Sequence, residues 1–193
     1  MYIQTSDTPN PNAVKFIPGI PISPVQQYYF TSHEEAQSSF LARKLLNLNG
    51  VSSVFFGKDF ITIVKDEGAD WIVVKSETIT TIVDHFTSGL EVFEKSLQEN
   101  MHKDDSHIDE DDQGVVPVTE IEKQIFAIIE ERVRPAVAMD GGDIIYKGFE
   151  DGVVKLKLRG ACSGCPSSKI TLKNGIESLL KHYVPEVIEV VEE

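Results

Sequence analysis

Apolar positions along the chain gather into two periodic stretches separated by one with almost none. In the first, residues 1–96, Val14-Lys15-Phe16-Ile17 is a strand candidate bounded by Pro9, Pro11 and Pro18-Gly19, and Val25 to Phe30 is another. Thr31 and Ser32 each stand three residues before a glutamate (Glu34, Glu35), the capping-box spacing. The pattern predicts a helix starting there, carrying Ala36, Phe40, Leu41, Leu45 and Leu48, and stopping at Asn49-Gly50. Val51 to Phe56 and Phe60 to Val64 flank Gly57-Lys58-Asp59 and predict a hairpin. A second helix, capped by Asp70 or Ser76, carries Ile79, Ile82, Val83 and Phe86 and ends near Gly89.

The last stretch, residues 117–193, opens on another capping box, Thr119-x-x-Glu122. Its helix has Ile121, Ile125, Ile128 and Ile129 on one face and is expected to end near Arg134-Pro135. Asp140-Gly141-Gly142-Asp143 predicts a turn. Asp143 to Phe149 and Val153 to Arg159 form a hairpin around Asp151-Gly152. In its second strand Val154, Leu156 and Leu158 alternate with Lys155, Lys157 and Arg159. Leu172, Ile176, Leu179, Leu180 and Tyr183 then recur at helical spacing, and Val187 to Val191 is a final strand. Between the two stretches, residues 97–116 hold Lys103-Asp104-Asp105 and Asp109-Glu110-Asp111-Asp112, with little to bury against the entropy of ordering. The expected fold class is therefore α+β: two small α+β domains, 1–96 and 117–193, each a hairpin-containing sheet packed with helices, joined by a flexible acidic linker at 97–116.

Charge narrows the function. The formal net charge is −13 at pH 7, which argues against sequence-independent nucleic-acid binding, since that needs a basic footprint. No apolar run is long enough to span a bilayer, so no membrane partner is expected. Met1-Tyr2-Ile3-Gln4-Thr5 has neither a secretory pattern nor an Arg-rich transit pattern.

The two cysteines carry the chemistry. Cys162 and Cys165 form a C-x-x-C between a strand and a helix, in Gly160-Ala161-Cys162-Ser163-Gly164-Cys165-Pro166-Ser167-Ser168. Pro166 suits a first helical position, so the second sulfur is expected near a helix N-terminus, where backbone N–H groups favour a thiolate. Three readings compete. An iron–sulfur cluster is normally held by four thiolates, so this chain supplies half a set and a second chain, small thiols or a partner must complete it. A thiol–disulfide oxidoreductase also places C-x-x-C at a helix start, though thioredoxin-type domains carry it after an early strand. Zinc would need further ligands, and none of His33, His85, His102, His107 and His182 is close in sequence to the pair. Lys155, Lys157, Arg159, Lys169 and Lys173 could surround the sulfurs and favour an anionic cluster, or could simply be a solvated face. The first domain offers neither a metal-ligand group nor a nucleophile with a base.

The cysteine motif, preceded by Met139-Asp140-Gly141-Gly142-Asp143, resembles the C-terminal domain of NifU, the Nfu-type iron–sulfur carrier domain. Thr8-Pro9-Asn10-Pro11-Asn12-Ala13-Val14-Lys15-Phe16-Ile17-Pro18-Gly19 resembles the N-terminal domain that accompanies it. The resemblance implies a non-enzymatic carrier with Cys162 and Cys165 as ligands and no catalytic residues. It implies a labile cluster, [4Fe–4S] or alternatively [2Fe–2S], bridging a homodimer that forms on cluster binding. An upstream scaffold would donate the cluster and apo-proteins would receive it. The expected compartment is a bacterial cytoplasm, with the mitochondrial matrix as the alternative for a mature form.

Overall fold

The computed structural model describes residues 1–94, 114–163 and 166–193. It contains two small α+β domains, each with its own sheet and core. Most of the expected linker (residues 97–113), His102, His107 and Cys165 lie outside the described residues.

In the first domain five antiparallel strands run in the order β1-β2-β5-β4-β3: Gln4–Asp7, Ala13–Ile17, Ile61–Lys65, Val51–Phe56 and Tyr28–Phe30. The 51–56/61–65 hairpin forms as the pattern requires. Strand β1 had no hydrophobic signal because it is exposed along its whole length and only edges the sheet. The stretch from Val25 contributes only its last three residues, as β3. Alternate residues Val14, Phe16, Val54, Phe56, Ile61 and Ile63 face the helices and form the core. Helix α2, Trp71–Thr87, is capped by Asp70, whose carboxylate accepts from the Ile72 N–H at 2.8 Å.

The helix expected from Thr31 or Ser32 starts later. Thr31 does bond Glu35, with Oγ1 to Oε1 at 3.0 Å, but this closes a single 3-10 turn, Glu35–Ser38. Helix α1 is Phe40–Leu46. Ser39 wins as N-cap: its backbone is extended, its hydroxyl accepts from the Ala42 N–H at 3.2 Å and donates to the Val92 carbonyl at 2.6 Å.

In the second domain Thr119 and Glu122 form the capping box reciprocally at the start of α3, Glu120–Ile128. The helical path does not end at Arg134-Pro135. It widens into a π-type turn, Ile129–Val133, and resumes as α4, Arg134–Met139. Pro135 then sits in the first turn of the resumed segment, where its missing N–H costs little. Strands β6 (Gly142–Glu150) and β7 (Val153–Gly160) pair around Asp151 and Gly152, both at positive φ. Helix α5, Pro166–Tyr183, returns the chain so that β8, Glu189–Glu192, pairs with β7 in parallel. Val154, Leu156 and Leu158 face the core with Ile125, Ile129, Ile176 and Leu180.

Candidate functional site

Strand β7 ends at Gly160, whose φ of +65° turns the chain sharply into Ala161-Cys162-Ser163 before α5 begins at Pro166. The turn is tied down locally. The Ala161 N–H donates to the Gly141 carbonyl at 3.2 Å, and the Ser163 hydroxyl donates to the Gly160 carbonyl at 2.9 Å. Gly142 opposes Gly160 in the β6–β7 ladder. A Cβ at Gly142 would stand 2.7 Å from both the Cys162 Sγ and the Arg159 carbonyl oxygen. The D-G-G-D turn is thus the floor on which the thiol rests.

Cys162 is a free thiol, 6% exposed, and belongs to the apolar core of the second domain. Burial pushes it up to about 12, and the neighbouring carboxylates of Asp140 and Asp143 push the same way. Of the expected basic surround, Lys155, Lys173 and Arg159 are engaged elsewhere among the described residues. Lys155 reaches Glu150 and Lys173 reaches Glu189, each at 3.4 Å, and Arg159 lies buried across the ladder from Asp143. Among the described residues the charges that bear on Cys162 are anionic, and together with burial they favour its protonated form. Cys165 and the Lys169 side chain fall outside the described residues. Asp143 is itself buried, and that burial raises its pKa against the pull of Arg134 and Arg159. The Arg134 Nε stands 3.1 Å from its Oδ1 without hydrogen-bond alignment, while Nη1 bonds Glu130 and Nη2 the Ile144 carbonyl, both at 2.8 Å.

Among the described residues, no histidine joins the cysteine as a metal ligand. His85 is buried in the first domain and bonds the Glu91 carbonyl, and His182 packs edge-on against Tyr183. Among the described residues no three His, Cys, Asp or Glu side chains gather as metal ligands.

The first domain covers the cysteine turn, which the sequence reading missed. Apart from the exposed edge strand β1, its sheet is covered on both faces: the outer face carries buried Ala13, Phe55, Thr62 and Val64 and half-buried Lys15 and Tyr29. Ala13 and Val64 pack on Ala161, and Phe55 sits where a Cβ on Gly160 would approach it to 3.1 Å. The Asn10 Nδ2 donates to the Ala161 carbonyl at 2.9 Å, Thr62 Oγ1 to the Gly141 carbonyl at 2.7 Å, and Lys15 Nζ to the Ala138 carbonyl at 2.9 Å. The Tyr29 and Ser163 hydroxyls are 2.9 Å apart. A cleft of about 460 Å³ remains beside the thiol, walled by Pro9, Asn10, Arg132, Cys162, Leu172 and Leu179. One signal did foretell the double burial: Phe60-Ile61-Thr62-Ile63-Val64 is nearly continuous in apolar character rather than alternating.

Fold and turn define a class: a two-domain α+β protein whose second domain bears a C-x-x-C between the middle strand and the long helix. The NifU-like domain family matches residues 125–191, and the family described as the N-terminal part of the scaffold protein Nfu/NifU matches residues 3–89. The human protein named NFU1 iron-sulfur cluster scaffold homolog, mitochondrial, is 48% identical over 188 residues, covering 97% of this chain and 70% of that protein. Proteins of the same name from Drosophila ananassae and Drosophila erecta are 44% and 46% identical, and the chain spans 62% and 63% of their lengths. The solution structure of a NifU-like protein from Saccharomyces cerevisiae is similar over 49% of this chain and 86% of its own, at 29% identity and a TM-score of 0.45. The chain belongs to the NifU-like Nfu family, with both its N-terminal and its C-terminal domain.

Proposed function

We propose that the chain is an iron–sulfur cluster carrier in which Cys162 and Cys165 of two copies hold a labile cluster, probed first as [4Fe–4S] with [2Fe–2S] as the alternative. The observation that carries this is the donor count. The only two cysteines of the chain stand three residues apart in sequence within the NifU-like domain, and they are half of the four thiolates such a cluster takes. The names of the relatives, which call them iron–sulfur cluster scaffolds, support the same reading. The cluster is cargo. A recipient apo-protein offers its own thiolates, these replace the carrier's in turn, and no substrate bond is turned over, so the protein is not an enzyme. An upstream scaffold supplies the cluster, and the first domain orients the carrier domain and recognises partners. The compartment in the relatives' names supports the mitochondrial alternative over a bacterial cytoplasm.

The oxidoreductase reading differs in what it forms: a reversible Cys162–Cys165 bridge and reduction of a model disulfide, without bound iron. Anaerobic reconstitution with iron and sulfide tests the proposal. Wild type is expected to gain broad visible absorption and to shift from monomer to dimer on size exclusion, since a bridging ligand and the dimer stabilise each other. Cys162→Ser and Cys165→Ser should each abolish both. A chain that stays colourless, or binds cluster with unchanged mass, refutes the shared site.

A further inference from the structure

We propose that the outer face of the N-terminal sheet is a latch that holds the Cys162 turn closed in cluster-free protein, and that cluster loading requires its release. The proposal rests on the carrier reading above and adds a regulation of that same site.

Among the described residues, the polar contacts that Asn10 and the sheet face make fall on Ala161 and Ser163, on either side of Cys162, and on Ala138 and Gly141. Asn10 bonds the carbonyl just before the cysteine, and Tyr29 meets the hydroxyl just after it. Thr62 bonds the Gly141 carbonyl, which also accepts the Ala161 N–H, so one oxygen joins the latch to the turn. Lys15, lying over the Phe60 ring at 4.0 Å, reaches the Ala138 carbonyl at the end of α4. The donor side is shaped before it engages. The Asn10 Oδ1 accepts from the Asn12 N–H at 2.9 Å, its N–H donates to Thr8 Oγ1 at 3.2 Å, and the Trp71 indole fixes the Pro11 carbonyl at 2.8 Å. The Pro-Asn-Pro-Asn segment has no ligand or nucleophile of its own; what it does is aim one buried carboxamide at the cysteine turn.

The contact has the composition of a reversible one. Its apolar part is three side chains, Ala13, Val64 and Ala161, with Phe55 against Gly160, and its polar part is three hydrogen bonds to main-chain oxygens and the Tyr29–Ser163 hydroxyl pair. It also lies against the turn that carries Cys162. In the proposed latch, Asn10, Tyr29 and Thr62 withdraw from Ala161, Ser163 and Gly141 before a second copy brings its own turn up to Cys162.

The test is alkylation of Cys162 in the full-length, reduced, cluster-free chain, read by peptide mapping so that Cys165 is scored separately. Asn10→Ala with Thr62→Val removes two hydrogen bonds, and Cys162 is expected to react about thirtyfold faster, the factor that two such bonds of ordinary net strength correspond to. Trp71 fluorescence checks that the first domain is still folded. If that pair fails to fold, Tyr29→Phe combined with Lys15→Met takes its place, with a smaller but still several-fold gain. A folded variant whose Cys162 reacts no faster than wild type overturns the latch. The released variants should also take up cluster from iron and sulfide several-fold faster than wild type; equal rates with an uncovered Cys162 overturn the inhibitory role. If Cys162 is uncovered and no form takes up cluster, the latch stands and the carrier reading falls.

Discussion

Replacing Gly142 with alanine isolates the packing of the cysteine turn from its chemistry. Gly142 is not at positive φ, so the variant suffers no backbone strain and the whole effect is steric. The added methyl would lie 2.7 Å from the Arg159 carbonyl oxygen, 2.7 Å from the Cys162 Sγ and 3.2 Å from its Cβ. The carbonyl belongs to the β6–β7 ladder beside the Gly142–Gly160 pair and cannot recede without opening the end of the sheet. The sulfur is the softer neighbour, so the turn yields there. Overpacking of this kind costs about 1–3 kcal/mol. For a domain of this size each kcal/mol lowers the melting temperature by roughly 4–8 °C. The assay is chemical unfolding followed by two probes: Trp71, the single tryptophan, reports the first domain, and far-UV circular dichroism reports both. The expected result is a destabilised second domain, a nearly unmoved Trp71 transition, and a Cys162 that alkylates faster than in wild type. Full stability with an equally protected thiol would refute the account of the turn as resting on Gly142.

Gly175, in α5, has open space around its Cα, so Gly175→Ala should stabilise the second domain by about 0.5–1 kcal/mol, read from the unfolding midpoint. Thr119→Ala removes the cap of α3 and should cost about 1 kcal/mol by the same measurement, with Thr119→Ser restoring most of it. His85 is buried with its Nδ1 unbonded among the described residues, and burial first, then Lys44, lowers its pKa below 6.5. The unfolded chain therefore binds a proton that the folded one refuses. Stability should be full above about pH 6.5 and fall as pH drops below it, by at most about 1.4 kcal/mol per pH unit. His85→Leu should flatten the dependence of the Trp71 transition over that range, whatever its own stability; an unchanged slope would mean that another group causes it.

The elements most legible in the sequence are those whose signal is local and unopposed. Asp70 and Thr119 cap the helices that their spacing predicts, and Asp151-Gly152 closes the hairpin that it predicts. Where two local signals compete, spacing alone cannot rank them. Thr31 forms its contact with Glu35, yet Ser39 starts the helix because its hydroxyl is also held by Val92, more than fifty residues away. The continuation past Arg134-Pro135 was hidden for a similar reason: the Arg134 guanidinium is held by Glu130, Asp143 and the Ile144 carbonyl, partners from the turn before and the strand after. Propensity is blind to contacts at that range.

The candidate site divides along the same line. That Cys162 lies in a glycine-flanked turn between strand and helix was readable, because alternation stops at Arg159 and helical spacing resumes at Leu172. That its thiol points into the core was not, because this depends on Gly142 being opposite Gly160, a matter of register. The contact from the first domain was less readable still, since Asn10, Lys15 and Thr62 all bond main-chain oxygens, and a carbonyl leaves no trace in side-chain patterning. Only the loss of alternation around Thr62 hinted that the sheet had something to cover. On the proposed carrier reading, Cys162 has two needs that oppose each other: shelter while empty, since oxidation follows thiolate character and exposure, and access when iron arrives. Cys162 in this arrangement meets the first, buried and flanked by Asp140 and Asp143, which favour its protonated form. The second then has to come from movement, and the few hydrogen bonds from the first domain are the part of the cover that can let go without unfolding either core.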